Sequence, residues 1–372
     1  MDPFKTVAVL VGAMLVLLTV RSAMKTFIVP RGRTEVVTNV SLELTMAVFR
    51  PFMADRIPFA RRKTALALFA PIALLVTYAA WLALASAGFS LIYWADGVSP
   101  LSHAIALSGS SMFTLGYETP SGALTMVGTI VEAGLGLFLI ALLIGYLPTI
   151  YSTFRAREVV VAEIAARAGT PPSGVGLLVR YEDLGGWETA AEAWTTLESW
   201  FAQIGESHRA ITLLPFYRSL DDDRHWVAAA GASLDAAALV VTTVDGEDAT
   251  RDGERAIRGA RLLLRAGSPV LWELADHLAL DPGPTPSEAS PKGGEIPSAI
   301  TVTRAQWDEG RTALATAGIP IRRDADAAWA DFAQVRAQYD RSLVLLAATL
   351  YAPPTPWIAR VAQPPLHFVR FR

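Results

Sequence analysis

Between residues 101 and 117 the chain reads Leu101-Ser102-His103-Ala104-Ile105-Ala106-Leu107-Ser108-Gly109-Ser110-Ser111-Met112-Phe113-Thr114-Leu115-Gly116-Tyr117. The part up to Phe113 is too apolar for an ordinary exposed loop, and Pro100 stands just before it, where proline favours a helix start. A helix of this length rises only about 20 Å, less than the roughly 30 Å of hydrocarbon in a bilayer. The run therefore predicts a short helix that enters a membrane and turns back.

Two longer apolar segments flank this run. Residues 64–95 carry no formal charge, and residues 119–154 contain a single charged side chain, Glu132. Each exceeds the roughly 20 residues that a transmembrane helix needs. Tyr93 and Trp94 suit the aromatic belt at a membrane surface. The sequence thus predicts an outer span, a re-entrant helix and an inner span.

The first apolar stretch, residues 6–20, is short for a span and also fits the core of a signal peptide. Arg21 follows this stretch directly, where signal-peptide cleavage would require small residues. We interpret residues 1–25 as a retained N-terminal membrane anchor with its N-terminus outside. An interfacial helix with its N-terminus inside remains the alternative.

Charge asymmetry predicts the orientation. Residues 21–63 hold nine Lys and Arg against three acidic residues, whereas residues 64–154 hold no Lys or Arg. By the positive-inside rule, the basic segment is cytoplasmic. We therefore expect residues 26–63 to be a basic cytoplasmic connector and the segment between the two spans to lie outside.

Ser111-x-x-Thr114-Leu115-Gly116-Tyr117 resembles the pore signature of the potassium-channel superfamily. In that family, Thr/Ser-x-x-Thr-Val-Gly-Tyr-Gly is flanked by an outer and an inner helix. The same order occurs here over residues 64–154, which we take as the pore module. An ordinary turn between two hydrophobic segments is the alternative interpretation.

The resemblance implies a homotetramer in the lipid membrane, in which four chains surround a permeant K⁺ ion with backbone carbonyls. The selectivity filter would be Thr114, Leu115, Gly116 and Tyr117, with the Thr114 hydroxyl as its innermost ring. The short helix would aim its negative C-terminal end at a cation in the central cavity. No cofactor beyond the permeant cation is implied.

The motif departs from the family pattern after Tyr117. Glu118 replaces the final glycine, and Thr119 stands where aspartate is usual. Pro120 lies closer to the motif than the proline of the family pattern. The outermost ion site is therefore expected to be absent or rebuilt. A ring of Glu118 carboxylates at the pore mouth would attract cations with little discrimination, which makes a nonselective cation channel the alternative.

Three residues of the inner span are further site candidates. Glu132 falls near the bilayer middle, where a carboxylate is costly unless it is satisfied. It either faces the cavity and concentrates cations, or accepts hydrogen bonds from re-entrant-helix hydroxyls such as Ser110 or Ser111. Gly134 and Gly136 are either a gating hinge or sites of close helix packing.

Beyond residue 154 the chain turns polar, with apolar residues at helical spacing. We predict a helical cytoplasmic domain over residues 155–280 and a flexible linker over 281–300. Residues 301–372 would form C-terminal helices, at 304–317 and 324–352, followed by a proline-rich extended tail. The fold class is therefore mainly α, with membrane helices, a re-entrant helix and filter loop, and a cytoplasmic helical domain.

Several chemistries lack a candidate site. The chain has no cysteine, and its five histidines show no metal-ligand spacing. Gly174-Val175-Gly176 lacks the third glycine of a dinucleotide fingerprint. Asp221-Asp222-Asp223 fits a solvated turn, with calcium contact as the alternative. A net charge of -3 gives no reason to expect nucleic acid as a partner.

We therefore expect a multi-pass protein of the cell membrane that conducts cations, K⁺ foremost, and is not an enzyme. The alternative is a membrane-anchored sensor or scaffold in which the pore-like module does not conduct.

Overall fold

The structure, a computed structural model, describes residues 3–27, 36–53, 57–219, 221, 224–245, 251–288 and 300–357. These residues are mainly helical and contain no β-strand. The helices within them are α1 (Pro3–Phe27), α2 (Val36–Met53), α3 (Phe59–Asp96), α4 (Leu101–Met112), α5 (Ala123–Ala168), α6 (Gly174–Gly185), α7 (Trp187–Ala210), α8 (Trp226–Thr242), α9 (Arg251–His277), α10 (Arg304–Thr316), α11 (Ala325–Ala337) and α12 (Asp340–Thr349). The prediction of a mainly α fold is confirmed.

The chain divides into two compact units, and α3 and α5 contribute residues to both. The first unit comprises Met1–Pro58 and Leu68–Ser152, and the second comprises Phe59–Ala67 and Thr153–Arg372. Within the part of the chain that the structure describes, three helices are long and apolar enough to span a membrane: α1, α3 from Arg62 onward, and α5. The chain thus has the helices expected of a membrane protein.

Helix α1 is longer than the uncharged stretch that predicted it, because it also takes in Lys5, Arg21 and Lys25. It packs closely on α3. A Cβ atom on Gly12 would lie 2.5 Å from the Gly88 carbonyl oxygen, so the two backbones cross in near contact. Further along, the Trp81 indole donates to the Ser22 hydroxyl at 3.0 Å. Helix α1 is therefore an integral part of the first unit's packing.

The connector predicted at residues 26–63 contains a helix that we did not predict, α2. Its first turn meets the end of α1, where the Thr26 and Thr38 hydroxyls lie 3.1 Å apart. Near its other end the Phe49 ring packs edge-on against Phe69 of α3. Connector residues 28–35 and 54–56 lie outside the described residues.

The second unit is built around α8, in which nearly every residue is buried. Small residues let the neighbouring helices approach it. A Cβ atom on Gly174 of α6 would lie 2.6 Å from the Ala236 backbone nitrogen. One on Gly267 of α9 would lie 2.7 Å from the Leu234 side chain. The alanine-rich composition of α8 thus permits a tightly packed centre.

The C-terminal helices of this unit differ from prediction at one point. Helix α10 forms as predicted and begins with a capping box between Thr303 and Gln306. The single helix predicted over residues 324–352 is wrong, because it breaks into α11 and α12 at Gln338 and Tyr339. Tyr339 lies at φ −133°, outside the helical range.

The break accompanies a buried ionic network around Asp235 of α8. Arg336 pairs with Asp235 and donates to Asp340 at 2.7 Å, while the Tyr339 hydroxyl donates to Asp235 at 2.8 Å. Burial opposes the charge on Arg336, but the two carboxylates hold its pKa above the ordinary value. Because each buried charge has a partner, the network joins α8, α11 and α12.

The predicted linker and tail are described only in part. Residues 281–288 are non-helical, and Gly283 accepts a hydrogen bond from the Trp272 indole at 3.1 Å. Residues 289–299 of the linker and residues 358–372 of the proline-rich tail lie outside the described residues.

Candidate functional site

Helix α4 occupies the position predicted for the re-entrant helix and ends at Met112. The chain then leaves the helix sharply, since Thr114 and Gly116 both adopt left-handed backbone conformations, at φ 53° and 72°. The second conformation suits glycine, which has no Cβ to strain it. The Leu115 amide still donates to the Ser110 carbonyl at 2.8 Å. Residues 113–117 are thus a non-helical, exposed segment joined to the end of α4.

Side chains hold this segment against α4 at three further points. The Tyr117 hydroxyl donates to the Ala106 carbonyl at 3.0 Å, and the Glu118 amide donates to the Ser110 hydroxyl at 3.2 Å. His103 Nε2 lies 2.7 Å from the Glu118 carboxylate. The four predicted filter residues and the predicted pore-mouth residue are therefore contiguous in one anchored segment.

Glu132 is fully buried and joins three helices of the first unit. Its carboxylate accepts a hydrogen bond from the Tyr93 hydroxyl of α3 at 2.7 Å and from the Ser108 hydroxyl of α4 at 2.5 Å. Ser108 also contacts Ser86 of α3, with the two hydroxyl oxygens 2.7 Å apart. Both carboxylate oxygens are satisfied in this way, which offsets the cost of burying the group.

The partners named for Glu132 from the sequence were wrong in detail. The Ser110 hydroxyl accepts from the Glu118 amide, and the Ser111 hydroxyl donates to the Leu107 carbonyl. The hydroxyl that reaches the carboxylate is Ser108, on the buried face of α4 that also carries Ala104. Ser111, three residues further along α4, shares this face, so periodicity alone could not have distinguished Ser108 from it.

The glycines of α5 lie in different environments. A Cβ atom on Gly136 would collide with the Met112 carbonyl oxygen, so the absence of a side chain at Gly136 lets α5 pack closely against the end of α4. Gly128 likewise makes room for Tyr93, whose ring would lie 2.8 Å from an added Cβ. Gly134 and Gly145 have nothing within 4 Å of such an atom. Close packing therefore explains Gly136 but not Gly134.

Three residues of this site were not predicted from the sequence to contact it, and one of them, Tyr93, is buried instead of lying in the aromatic belt. His103, Ser108 and Tyr93 contact Glu118 or Glu132 across separations of 15, 24 and 39 residues. None belongs to a motif. Their only advance signal was a polar side chain in an otherwise apolar membrane segment, where such groups need partners.

The glycine pair at Gly174-Val175-Gly176 lies at the start of α6. The Ser173 hydroxyl accepts from the Gly176 amide at 3.0 Å and so caps the helix. Gly174 meets the backbone of α8. Capping and close packing account for these residues.

Two histidines of the second unit are buried near Arg157. His208 Nε2 lies 3.0 Å from Arg157 Nη1. Because a guanidinium only donates, this nitrogen accepts and the imidazole is neutral. Burial, and then the charge of Arg157, lower the pKa of His208 well below its usual range.

His225 caps α8 by accepting from the Val227 amide at 3.2 Å. Burial, and then the charges of Arg218 and Arg157, lower its pKa in the same way. Among the described residues no group of three His, Asp or Glu side chains is placed to hold a metal ion. Asp222 and Asp223 lie outside those residues.

Comparison with protein-family models, with the curated proteins and with the solved structures found no match to this chain.

Proposed function

We propose that this chain is one subunit of a homotetrameric cation channel that conducts K⁺, with Thr114, Leu115, Gly116 and Tyr117 as its filter. One observation carries the proposal. A short helix between two span-length helices leads into a non-helical segment, which is exposed along its length and held to that helix by specific hydrogen bonds.

The length of α4 supports a re-entrant path. It has 12 residues, so it rises about 18 Å and cannot cross roughly 30 Å of hydrocarbon. Helices α3 and α5 on either side are long enough to do so. Non-helical backbone at membrane depth is tolerated only where protein buries it or water contacts it. A water-filled pathway next to residues 113–117 satisfies this requirement.

Exposure within a single chain supports assembly. Leu115 and Tyr117 are 64% and 60% exposed, although both belong to the segment that would lie at membrane depth. Surrounding an ion with backbone carbonyls takes several chains, and four copies close the ring in the superfamily that the motif resembles. Neighbouring subunits would cover much of this exposed surface.

The length of α5 supports a cytoplasmic location for the second unit. With 46 residues, α5 rises about 69 Å, roughly twice the hydrocarbon thickness. It therefore continues beyond the bilayer, and it does so at Arg155 and Arg157, as the positive-inside rule favours. The second unit would then assemble or regulate the pore from the cytoplasmic side.

Ion flux through the purified full-length protein in liposomes tests the proposal, with K⁺, Na⁺ and Rb⁺ compared. Gly116→Ala puts a Cβ on a residue at φ 72°, so it should abolish flux while the tetramer persists in detergent. Gly145→Ala is the matched control, because nothing lies within 4 Å of its added Cβ.

Three results would change the proposal. Normal flux in Gly116→Ala would show that the backbone carbonyls of residues 114–117 do not form the ion filter. Equal passage of Na⁺ and K⁺ would indicate a nonselective cation channel. A stable wild-type assembly without flux, under varied pH, voltage and calcium, would favour the membrane-anchored sensor or scaffold.

A further inference from the structure

We propose that one face of α9, in the second unit, docks on anionic phospholipid headgroups. This inference rests on the cytoplasmic location proposed for that unit. It goes beyond the channel function by naming a surface through which the unit contacts the bilayer. The face, here called the arginine face, consists of Arg251, Arg255, Arg258, Arg261, Arg265 and Leu262.

The five arginines lie on a single side of α9. Each follows the previous one after three or four residues, the spacing that keeps side chains on one side of a helix. Buried residues such as Ala256, Ala260 and Leu264 lie on the opposite side. From Arg251 to Arg265 the helix rises about 21 Å. The arginine face is therefore long enough to contact several lipid headgroups at once.

All five arginines are exposed, and most of their charge is not compensated within the unit. Arg258 pairs with Glu254 of the same helix at 3.1 Å, and both side chains are 62% exposed. The other four arginines form no ion pair with any described residue. Residues 251–265 hold five arginines against two acidic residues, whereas the whole chain has a net charge of -3. The arginine face is thus a local positive surface on a slightly acidic chain.

Leu262 lies among these arginines and is 50% exposed. Among the described residues of the second unit, Val159 and Leu184 are the other large apolar side chains that are exposed. At a lipid surface, a leucine can enter the apolar boundary of the headgroup layer while arginine side chains extend to the phosphates. The arginine face carries no aromatic side chain on which a nucleic-acid base could stack. Its chemistry therefore favours lipid.

An anionic leaflet complements the arginine face in charge and in hydrogen bonding. A guanidinium group binds phosphate oxygens through paired hydrogen bonds. The cytoplasmic leaflet has a negative surface potential that attracts basic segments lying within a Debye length of it. The span-length helices of the same chain tether the second unit to a bilayer, which raises the effective concentration of lipid near that unit. Several weak contacts then suffice for docking.

A single introduced thiol can report this contact, because the chain contains no cysteine. Leu262→Cys, labelled with a fluorophore, places the reporter on the arginine face of the full-length protein in lipid nanodiscs. Lipid with a nitroxide headgroup quenches the fluorophore on contact. In discs containing phosphatidylglycerol we expect this lipid to lower the fluorescence about twofold, against little change in discs of phosphatidylcholine. Salt at about 1 M should relieve the quenching, since it shortens the Debye length to about 3 Å.

Control variants separate the arginine face from the total charge. Arg255→Glu/Arg261→Glu should abolish the quenching and leave the fold intact, because both side chains are exposed and form no ion pair with a described residue. Arg180→Glu/Arg323→Glu changes the net charge equally at exposed residues outside α9 and should leave the quenching unchanged. Leu184→Cys places the label on another exposed leucine, where lipid charge should have no effect.

Several results would overturn the inference. Quenching at residue 262 that ignores phosphatidylglycerol, that equals the quenching at residue 184, or that persists in Arg255→Glu/Arg261→Glu would exclude docking through the arginine face. Shielding of the label in detergent without phospholipid, removed by the same double variant, would identify a second copy of the chain as the occupant. A response to single-stranded DNA but not to anionic lipid would identify a nucleic acid. Because no readout depends on ion flux, failure of the docking and failure of the channel function are distinguished.

Discussion

Gly134 and Gly136 lie two residues apart on α5 but have different surroundings. An added Cβ at residue 136 would strike the Met112 carbonyl at the end of α4, whereas at residue 134 nothing lies within 4 Å. We expect Gly136→Ala to destabilise the first unit by about 1–3 kcal/mol, because backbone cannot yield as a flexible side chain can.

Gly134→Ala is the matched control and should be neutral or slightly stabilising, since alanine favours a helix by about 1 kcal/mol over glycine. Thermal unfolding in detergent, followed by rubidium flux in liposomes, measures both effects. If the two variants behaved alike, close passage of α5 under Met112 would not be the reason for glycine at residue 136.

At the scale of elements, Glu132 ties α3, α4 and α5 together through Tyr93 and Ser108. Glu132→Ala would leave the Tyr93 hydroxyl without its acceptor in an apolar setting, whereas the Ser108 hydroxyl keeps the Ser86 carbonyl at 3.0 Å. A buried unsatisfied group costs about 1–3 kcal/mol, so we expect a loss of roughly 1–3 kcal/mol and a disturbed α4. Thermal unfolding in detergent measures it.

Glu132→Gln separates hydrogen bonding from charge at nearly unchanged shape. Its amide oxygen can accept from the Tyr93 hydroxyl, and its NH2 group can donate to the Ser108 hydroxyl oxygen while Ser108 donates to the Ser86 carbonyl. This variant should retain most of the stability of the first unit. If Gln were as harmful as Ala, the negative charge of Glu132 would matter for more than accepting hydrogen bonds. That result would favour the interpretation in which Glu132 faces the central cavity and concentrates cations.

At the scale of the whole molecule, the second unit should lose stability on acidification. The pKa values of His208 and His225 are both lowered in the folded state. The unfolded chain therefore binds more protons below about pH 6.5, the usual histidine pKa. Stability is full above that pH and falls below it, by up to about 1.4 kcal/mol per pH unit for each histidine.

Tryptophan fluorescence during denaturant unfolding can follow this, because eight of the ten tryptophans belong to the second unit. His208→Gln keeps an acceptor for Arg157, and His225→Asn keeps an acceptor at the start of α8. The double variant should show a flatter stability profile between pH 8 and 5. An unchanged slope would mean that other groups govern the acid response.

Local properties of the sequence determined the helical fold, the span-length segments and the short helix near Leu101–Met112. Long uncharged runs, helical spacing and proline or glycine at boundaries act within a few residues, so they can be read without a structure. Thr114 to Tyr117 could be singled out as candidates for the same reason, since these four residues are contiguous. The break after α11 could not be read, because it serves a buried network formed with Asp235 of α8.

Tertiary structure alone decided which polar groups meet. Glu132 is joined to Tyr93 and Ser108, and Glu118 to His103, across separations that no local pattern records. The rotation and crossing of α3, α4 and α5 select these partners, and close contacts such as Gly136 against Met112 set that crossing. Hydropathy indicates that a helix is buried, but packing over the whole unit decides which face of that helix contacts which neighbouring helix.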